Sequence, residues 1–529
     1  MGSATSNDGG SKPPGGLRGL IGAALPRERF GDHLTLLSGT GQNIVGLGVY
    51  VVASLGSSIL ISRVLGSAAL GLVTLATQLA FVGGAGTRFG MDMASVRRVA
   101  IDVGKGEPGR ARAVMVRAVA IAGVVSAGVA LAVLIGAPAL ARAFAGKSPS
   151  SSAVPAFRAA ALALPFVALV QVYLGGTRGL KIMRHTLTIY WAGQPLLWIA
   201  LMLAGWTVSR SVGTTVLAYA LSWVLATAAG WFVWRRETVG FDPKPAERDE
   251  VRQLVRYGAP RAPAALLSQL LFWTDYFVLS RYVRGAQLGV YAAAVRVAQA
   301  LVLFLIAVNY MFSPFVADLH ARGERDRLDG LYKALSRWTL AGTIPLLLVL
   351  VVVPGPVLLI FGGGFRSGET ALRILLIGQI VNVAVGSVGF ILIMVGRTGW
   401  DLAVYAGSFA LDLIVALILA PRFGADGAAT AQAITLSVSN AARLYLVWRF
   451  VHIQPFNRHY ARLAIPAAAS GLSMLAVHLL ARGGAWQADL VLTAVVGSIV
   501  YAGVLLLAGL SPTERQAVSR VLRRGSSAP

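Results

Sequence analysis

Residues 62–76 read SRVLGSAALGLVTLA, and residues 280–294 read SRYVRGAQLGVYAAA. Aligned without a gap, Ser62/Ser280, Arg63/Arg281, Ala68/Ala286, Leu70/Leu288, Gly71/Gly289 and Ala76/Ala294 are identical. Each copy joins one long apolar segment to the next, once near the start of the chain and again past its middle. Chance identity among small and apolar residues does not explain the matching places, whereas an internal duplication does. Six apolar segments separate the copies, so both run in the same direction and the repeat is parallel.

Working outward from these joints, the chain divides into fourteen candidate spans. They cover about 36–62, 71–93, 114–137, 156–179, 187–207 and 211–234, then 259–281, 289–315, 335–360, 371–396, 402–421, 428–449, 463–481 and 489–509. Each is close to the ~20 residues that cross a bilayer as a helix. The composition agrees, with 56% hydrophobic residues, 13% charged residues and a mean hydropathy of +0.69. Soluble domains carry about a quarter charged residues, so separate soluble domains are excluded. Glycines spread through the spans suit closely packed membrane helices, and the ten-residue alternation of an outer-membrane barrel is missing. The expected fold is an all-α polytopic membrane protein with about 14 transmembrane helices.

The repeat sets the expected organisation. Residues 1–35 are a Gly-, Ser- and Pro-rich tail without a signal peptide, 36–234 form a first six-helix lobe, and 235–258 are a charged linker. Residues 259–450 form the second six-helix lobe, 451–510 add two helices outside the duplication, and 511–529 are a second tail. The net charge of +25 would suggest nucleic-acid binding in a soluble chain. Here the cations gather in alternate connections, such as Arg97, Arg98, Lys105, Arg110 and Arg112. That bias places both termini in the cytoplasm and requires no nucleic acid.

Little in the sequence suits catalysis. Cysteine is absent, and the six His residues are scattered without metal-ligand spacing. GGFRSGET (363–370) has the glycine spacing of a phosphate loop, but Glu369 stands where the Lys belongs, so it reads as a turn. No enzyme, metal or bound cofactor is expected.

What remains are charges inside the spans, which usually face a cavity or a partner. Asp275 and Arg296 fall at the same depth of one helical hairpin, placed either to lock it by a salt bridge or to form an exchangeable pair. Arg88 has Asp92 one turn on, the spacing of a local bridge. Arg261 and Arg443 lie near span ends, where they can snorkel to the interface. The sharper alternative is that Arg88, Arg261, Arg296 and Arg443 converge on a cavity that attracts an anion such as pyrophosphate, with Asn43 and Gln171 lining it. Asp412, midway along its span and without a same-helix partner, is with Asp275 a candidate coupling or ion site.

These stretches, together with MVGRTGWDLAVYAGSFALDLIVALILAPRFGADGAA (394–429) and GGTRGLKIMRH (175–185), resemble the polysaccharide-transporter group of the multidrug/oligosaccharidyl-lipid/polysaccharide exporter superfamily, which includes the O-antigen flippases. Ser67-Ala68-Ala69 departs from the Pro and acidic residues common there. The resemblance implies two lobes around a cationic cavity, alternating access, and a polyprenyl-pyrophosphate-linked glycan carried across a bacterial cytoplasmic membrane. It implies H+, Na+ or the membrane potential as the driving force, membrane lipids as surroundings, and glycosyltransferases or a glycan polymerase as partners. A lipid II flippase and a cation-coupled multidrug exporter are the alternatives within the superfamily. A membrane glycosyltransferase is disfavoured by short, acid-poor outer loops.

Overall fold

The computed structural model describes residues 30–144, 151–242, 249–259, 261–481 and 483–509, with the backbone alone for 30–45. Most of the tail at 1–35, the middle of the linker at 243–248, the tail at 511–529 and the side chain of Asn43 lie outside the described residues.

Helices fill the described residues, as expected where no water can satisfy backbone groups. In chain order they are α1 (Phe30–Leu65), α2 (Ser67–Thr87), α3 (Met91–Gly104), α4 (Pro108–Phe144), α5 (Ala153–Gly179), α6 (Gln194–Trp206), α7 (Val212–Glu237), α8 (Glu250–Gly258), α9 (Arg261–Leu270) and α10 (Thr274–Leu279). They continue as α11 (Gly285–Gln299), α12 (Val302–Ala321), α13 (Arg325–Val352), α14 (Pro354–Leu359), α15 (Glu369–Val385), α16 (Val388–Met394), α17 (Thr398–Val451), α18 (Arg458–Ala461), α19 (Ala464–Leu480) and α20 (Trp486–Val504). A π-helical turn, Thr186–Gly193, leads into α6.

Eleven of these helical stretches are long and apolar enough to cross a membrane. The difference from fourteen has physical causes. The seventh expected span is broken between α9 and α10, and the eighth between α11 and α12. The eleventh and twelfth run into one 54-residue stretch, α17, which at 1.5 Å per residue would exceed twice a bilayer's thickness if straight. It is not straight. Gly424 has φ 57° and ψ −130°, and Thr435 comes back to within 3.3 Å of Asp412. The tenth span is interrupted at Gly386 (φ 73°), where the hydroxyls of Tyr332 and Tyr460 donate to the Val385 and Ala384 carbonyls, so the break leaves these groups satisfied.

Helix α5 is the hub of the N-terminal half, packing on α2, α3, α4 and α7. In the C-terminal half α17 packs on α10, α15 and α16. Helices α19 and α20 form a hairpin against α13, fastened where the Tyr501 hydroxyl donates to the Ala341 carbonyl at 2.8 Å.

The two copies of the repeat meet each other. Helix α2 lies along α11 so closely that a Cβ on Gly289 would sit 1.8 Å from the Ser67 carbonyl oxygen. A Cβ on Gly71 would sit 2.7 Å from the Gly285 carbonyl oxygen. The paired arginines reciprocate. Arg63 donates from Nε and Nη2 to the Ile360 and Leu359 carbonyls, at 2.8 and 2.7 Å, at the C-terminal end of α14. Arg281 donates to the Ala143 carbonyl at the end of α4, at 3.5 Å. Each cation thus binds carbonyl oxygen at a helix C-terminus in the opposite half, where the helix dipole favours it. This joint lies at the end of the bundle away from the linker.

Candidate functional site between the halves

The breaks in the seventh and eighth spans flank one side chain. Arg296 sits one turn before the α11–α12 break and donates from Nη1 to Ser54 Oγ of α1, at 3.0 Å. Its guanidinium carbon is 5.5 Å from the centre of the Trp273 ring, which stands in the α9–α10 break. Arg296 Nε is buried without a partner. Discontinuous helices at membrane depth are tolerated where they line a cavity, so the breaks and the available donor belong together.

Tyr50 shares a face of α1 with Ser54, one turn away. Its ring meets Trp191 edge-on at 5.2 Å, and Trp191 meets Tyr190 at the same distance. Tyr190 leads on to Trp223 at 5.6 Å and Trp223 to Tyr219 at 6.0 Å. Tyr190 and Trp191 both lie in the π-helical turn, whose extra residue turns them out of the helical register; such turns recur at functional sites.

A second group lies deeper in the C-terminal half. Asp275 and Asp412 are both 0% exposed. Asp275 Oδ2 accepts a bond from the Tyr291 hydroxyl, and the Tyr291 ring stacks on Tyr276. Asp412 Oδ1 accepts from Thr435 Oγ1 at 3.3 Å, and its carboxyl faces the backbone of Asp275. Asp275 Oδ1 and Asp412 Oδ2 have no partner. Among the described residues neither carboxyl is ion-paired.

The expected Asp275–Arg296 bridge is therefore corrected. The break after Leu270 puts Trp273 against Arg296 and turns Asp275 towards α17 instead. Arg88 bridges Asp92 at 3.4 Å, as its spacing predicts. Arg261 bonds the Tyr257 hydroxyl at 3.2 Å. Gln171 is buried within the N-terminal half. Arg443, rather than snorkelling, is buried against Asp401 at 3.2 Å, Ser439 at 2.8 Å and the Tyr405 ring at 4.4 Å. Among the described residues, Arg296 is the one of the four arginines that bonds across the halves.

Truncating Arg443 leaves the Asp401 carboxylate buried and uncompensated, which costs about 3–5 kcal/mol. Arg443→Ala should accordingly lower the unfolding temperature of the purified protein sharply, and adding Asp401→Leu should recover much of the loss. A small loss with no recovery would place this pair in water.

At the linker end, α3 and α8 line an open cleft of about 490 Å³ whose lining includes Arg97, Arg98, Arg256 and Tyr257. Its acid, Glu250, is bridged by Arg117 at 3.1 Å. Arg97 and Arg261 flank the Tyr257 ring at 5.0 and 5.5 Å, linking this vestibule to the base of α9.

Residues 36–320, more than half of the chain, match the family described as polysaccharide biosynthesis protein. The chain belongs to that family. Two Haloferax volcanii proteins are similar to it. The probable low-salt glycan biosynthesis flippase Agl15 is 23% identical over 54% of this chain and 57% of its own length. The probable flippase AglR is 24% identical over 47% of this chain and 52% of its own. The chain thus spans about half the length of these curated relatives. Two solved folds extend the likeness. The lipid II flippase MurJ in its inward closed conformation superimposes with a TM-score of 0.67 at 14% identity, covering 87% of this chain and 96% of that one. An inward-facing multidrug resistance transporter of the MATE family gives 0.65 at 15% identity, covering 76% and 94%. The family member described here is a multi-pass membrane protein with that all-helical fold.

Proposed function

We propose that the chain is a flippase, not an enzyme, and that it carries a polyprenyl-pyrophosphate-linked oligosaccharide or polysaccharide precursor across the bacterial cytoplasmic membrane. One observation carries this reading: Arg296, held between the halves by Ser54 and Trp273, keeps a buried donor unused. A guanidinium with donors to spare suits a phosphate oxygen better than it suits a drug cation. The matching relatives' names point to the same class.

Alternating access follows from the two-part bundle. With the repeat joint closed, the basic vestibule at the linker end is the side of entry. The concentration of arginines there supports a cytoplasmic linker and termini. Asp275 and Asp412 form the coupling site: two buried carboxyls with unpartnered oxygens need a counter-charge, which a proton or Na+ supplies. Glycosyltransferases or a glycan polymerase would deliver and take the cargo.

In proteoliposomes, a labelled polyprenyl-pyrophosphate glycan should become accessible on the far side only when the protein is present. Arg296→Ala should slow this by roughly tenfold or more, with folded yield retained, since one charge-assisted bond to phosphate is worth about that. Efflux of drugs without lipid movement would reject the reading, and movement of lipid II alone would narrow it to that substrate.

A further inference from the structure

The aromatic wall beside Arg296 needs an explanation that anion binding does not supply. Tyr50, Tyr190 and Trp191 are half-buried, whereas Trp198, Tyr219 and Trp223 behind them are core residues. The front three are fixed by edge-on contacts to one another and by the second row through Tyr190–Trp223. The orientation of the front row is set by α1. Ser54 touches Arg296 of the other half, and Tyr50 lies four residues earlier on the same face, so Tyr50 and the Trp191 ring against it front the same space.

The wall is also uncharged. Its polar groups are the phenol and indole donors and the Gln194–Ser222 pair, bonded at 3.0 Å. Trp223 and Tyr219 are buried behind them. Rigid aromatic faces with neutral hydrogen-bonding groups at their edges suit a ligand that is apolar on its ring faces and hydroxylated on its rim. A sugar ring has that chemistry: axial C–H groups pack on an aromatic face while hydroxyls reach the edges. Packing alone would not need a π-helical turn, since an ordinary α-helix would keep Tyr190 and Trp191 within its own register.

We infer that Tyr50, Tyr190 and Trp191 form a saccharide platform, on which the first sugar of the cargo stacks while Arg296 holds the adjoining phosphate. The inference rests on the flippase reading above and adds to it a division of labour between the two walls. The N-terminal half reads the sugar and the C-terminal half reads the charge.

Two probes separate these roles in purified protein: farnesyl pyrophosphate, which has no sugar, and farnesyl-pyrophosphoryl-N-acetylglucosamine. Trp191→Ala should weaken binding of the glycosylated probe by roughly tenfold, the scale of one lost stacking contact, and leave farnesyl pyrophosphate unchanged. Trp191→Phe, which keeps an aromatic face, should retain most of the affinity. Arg296→Ala should weaken both probes. Equal loss of both probes in Trp191→Ala, or loss of neither, overturns the platform while the flippase reading stands. Failure of the unmodified protein to bind either probe removes both.

Discussion

Oxidising the double variant Ala68→Cys/Gly285→Cys should stop transport, and reduction should restore it. A Cβ on Gly285 would lie 3.5 Å from the Ala68 Cβ, within the 3.5–4.5 Å that a disulfide requires. Both positions belong to the repeat, one copy in each half, at the joint away from the linker. The natural chain contains no cysteine, so no other disulfide competes. If translocation opens this joint, the cross-link traps the protein with it closed, and transport should fall to the background of empty vesicles. Undiminished transport in fully cross-linked protein would show that the joint never opens.

The same joint explains why the repeat keeps its glycines. With only 1.8 Å between a Cβ on Gly289 and the Ser67 oxygen, even alanine at 289 forces α2 and α11 apart. Gly289→Ala should thus lower the yield of that cross-link when Gly285 and Ala68 are replaced as above, by moving the population towards the opened state. Arg63→Gln should act in the same direction more weakly, since its carbonyl partners at α14 then lose a charged donor.

These glycines show what the sequence could disclose. Gly71 and Gly289 are visible as identical positions in a repeat, from which the two-lobe organisation is expected. Their mutual contact was not visible, because a pairing of residues 218 apart in sequence has no local signature. The in-span charges divide similarly. Arg88–Asp92 was legible since a helix puts i and i+4 side by side. Arg443–Asp401 was not, since 42 residues and a reversal at Gly424 intervene. The expected Asp275–Arg296 bridge failed for a related reason. It assumed unbroken helices, and hydropathy registers the apolar content of a span without registering a break in it. Trp273 and Ser54, the neighbours that hold Arg296, were hidden by the same limit. Tyr50, Tyr190 and Trp191 lie in apolar spans, and hydropathy does not register the π-helical turn that sets Tyr190 and Trp191 against Tyr50.

The carboxyl pair yields a prediction whose two parts have opposite signs. Among the described residues Asp275 and Asp412 are buried with no cationic side chain paired to them, and each keeps an oxygen unpartnered. A purely structural pair arranged this way is a liability, because burying charge or an unsatisfied polar group costs free energy. Asp412→Asn removes a charge at nearly constant volume, so in cation-free buffer the variant should unfold at the same temperature as the natural protein or higher. Transport should nevertheless fall by roughly tenfold or more, the trade between stability and activity expected where a site is built for a ligand. Thermal unfolding in NaCl against choline chloride, and across pH, identifies that ligand. Stabilisation by Na+ that vanishes in Asp412→Asn and in Asp275→Asn assigns a metal cation. Stabilisation that follows pH, is indifferent to Na+ and vanishes in both variants assigns a proton. Thr435→Val, which removes the hydroxyl bonded to Asp412 and keeps both carboxyls, should weaken the cation response without abolishing it. A loss of stability and activity together, with the cation response intact, would return the pair to a structural role.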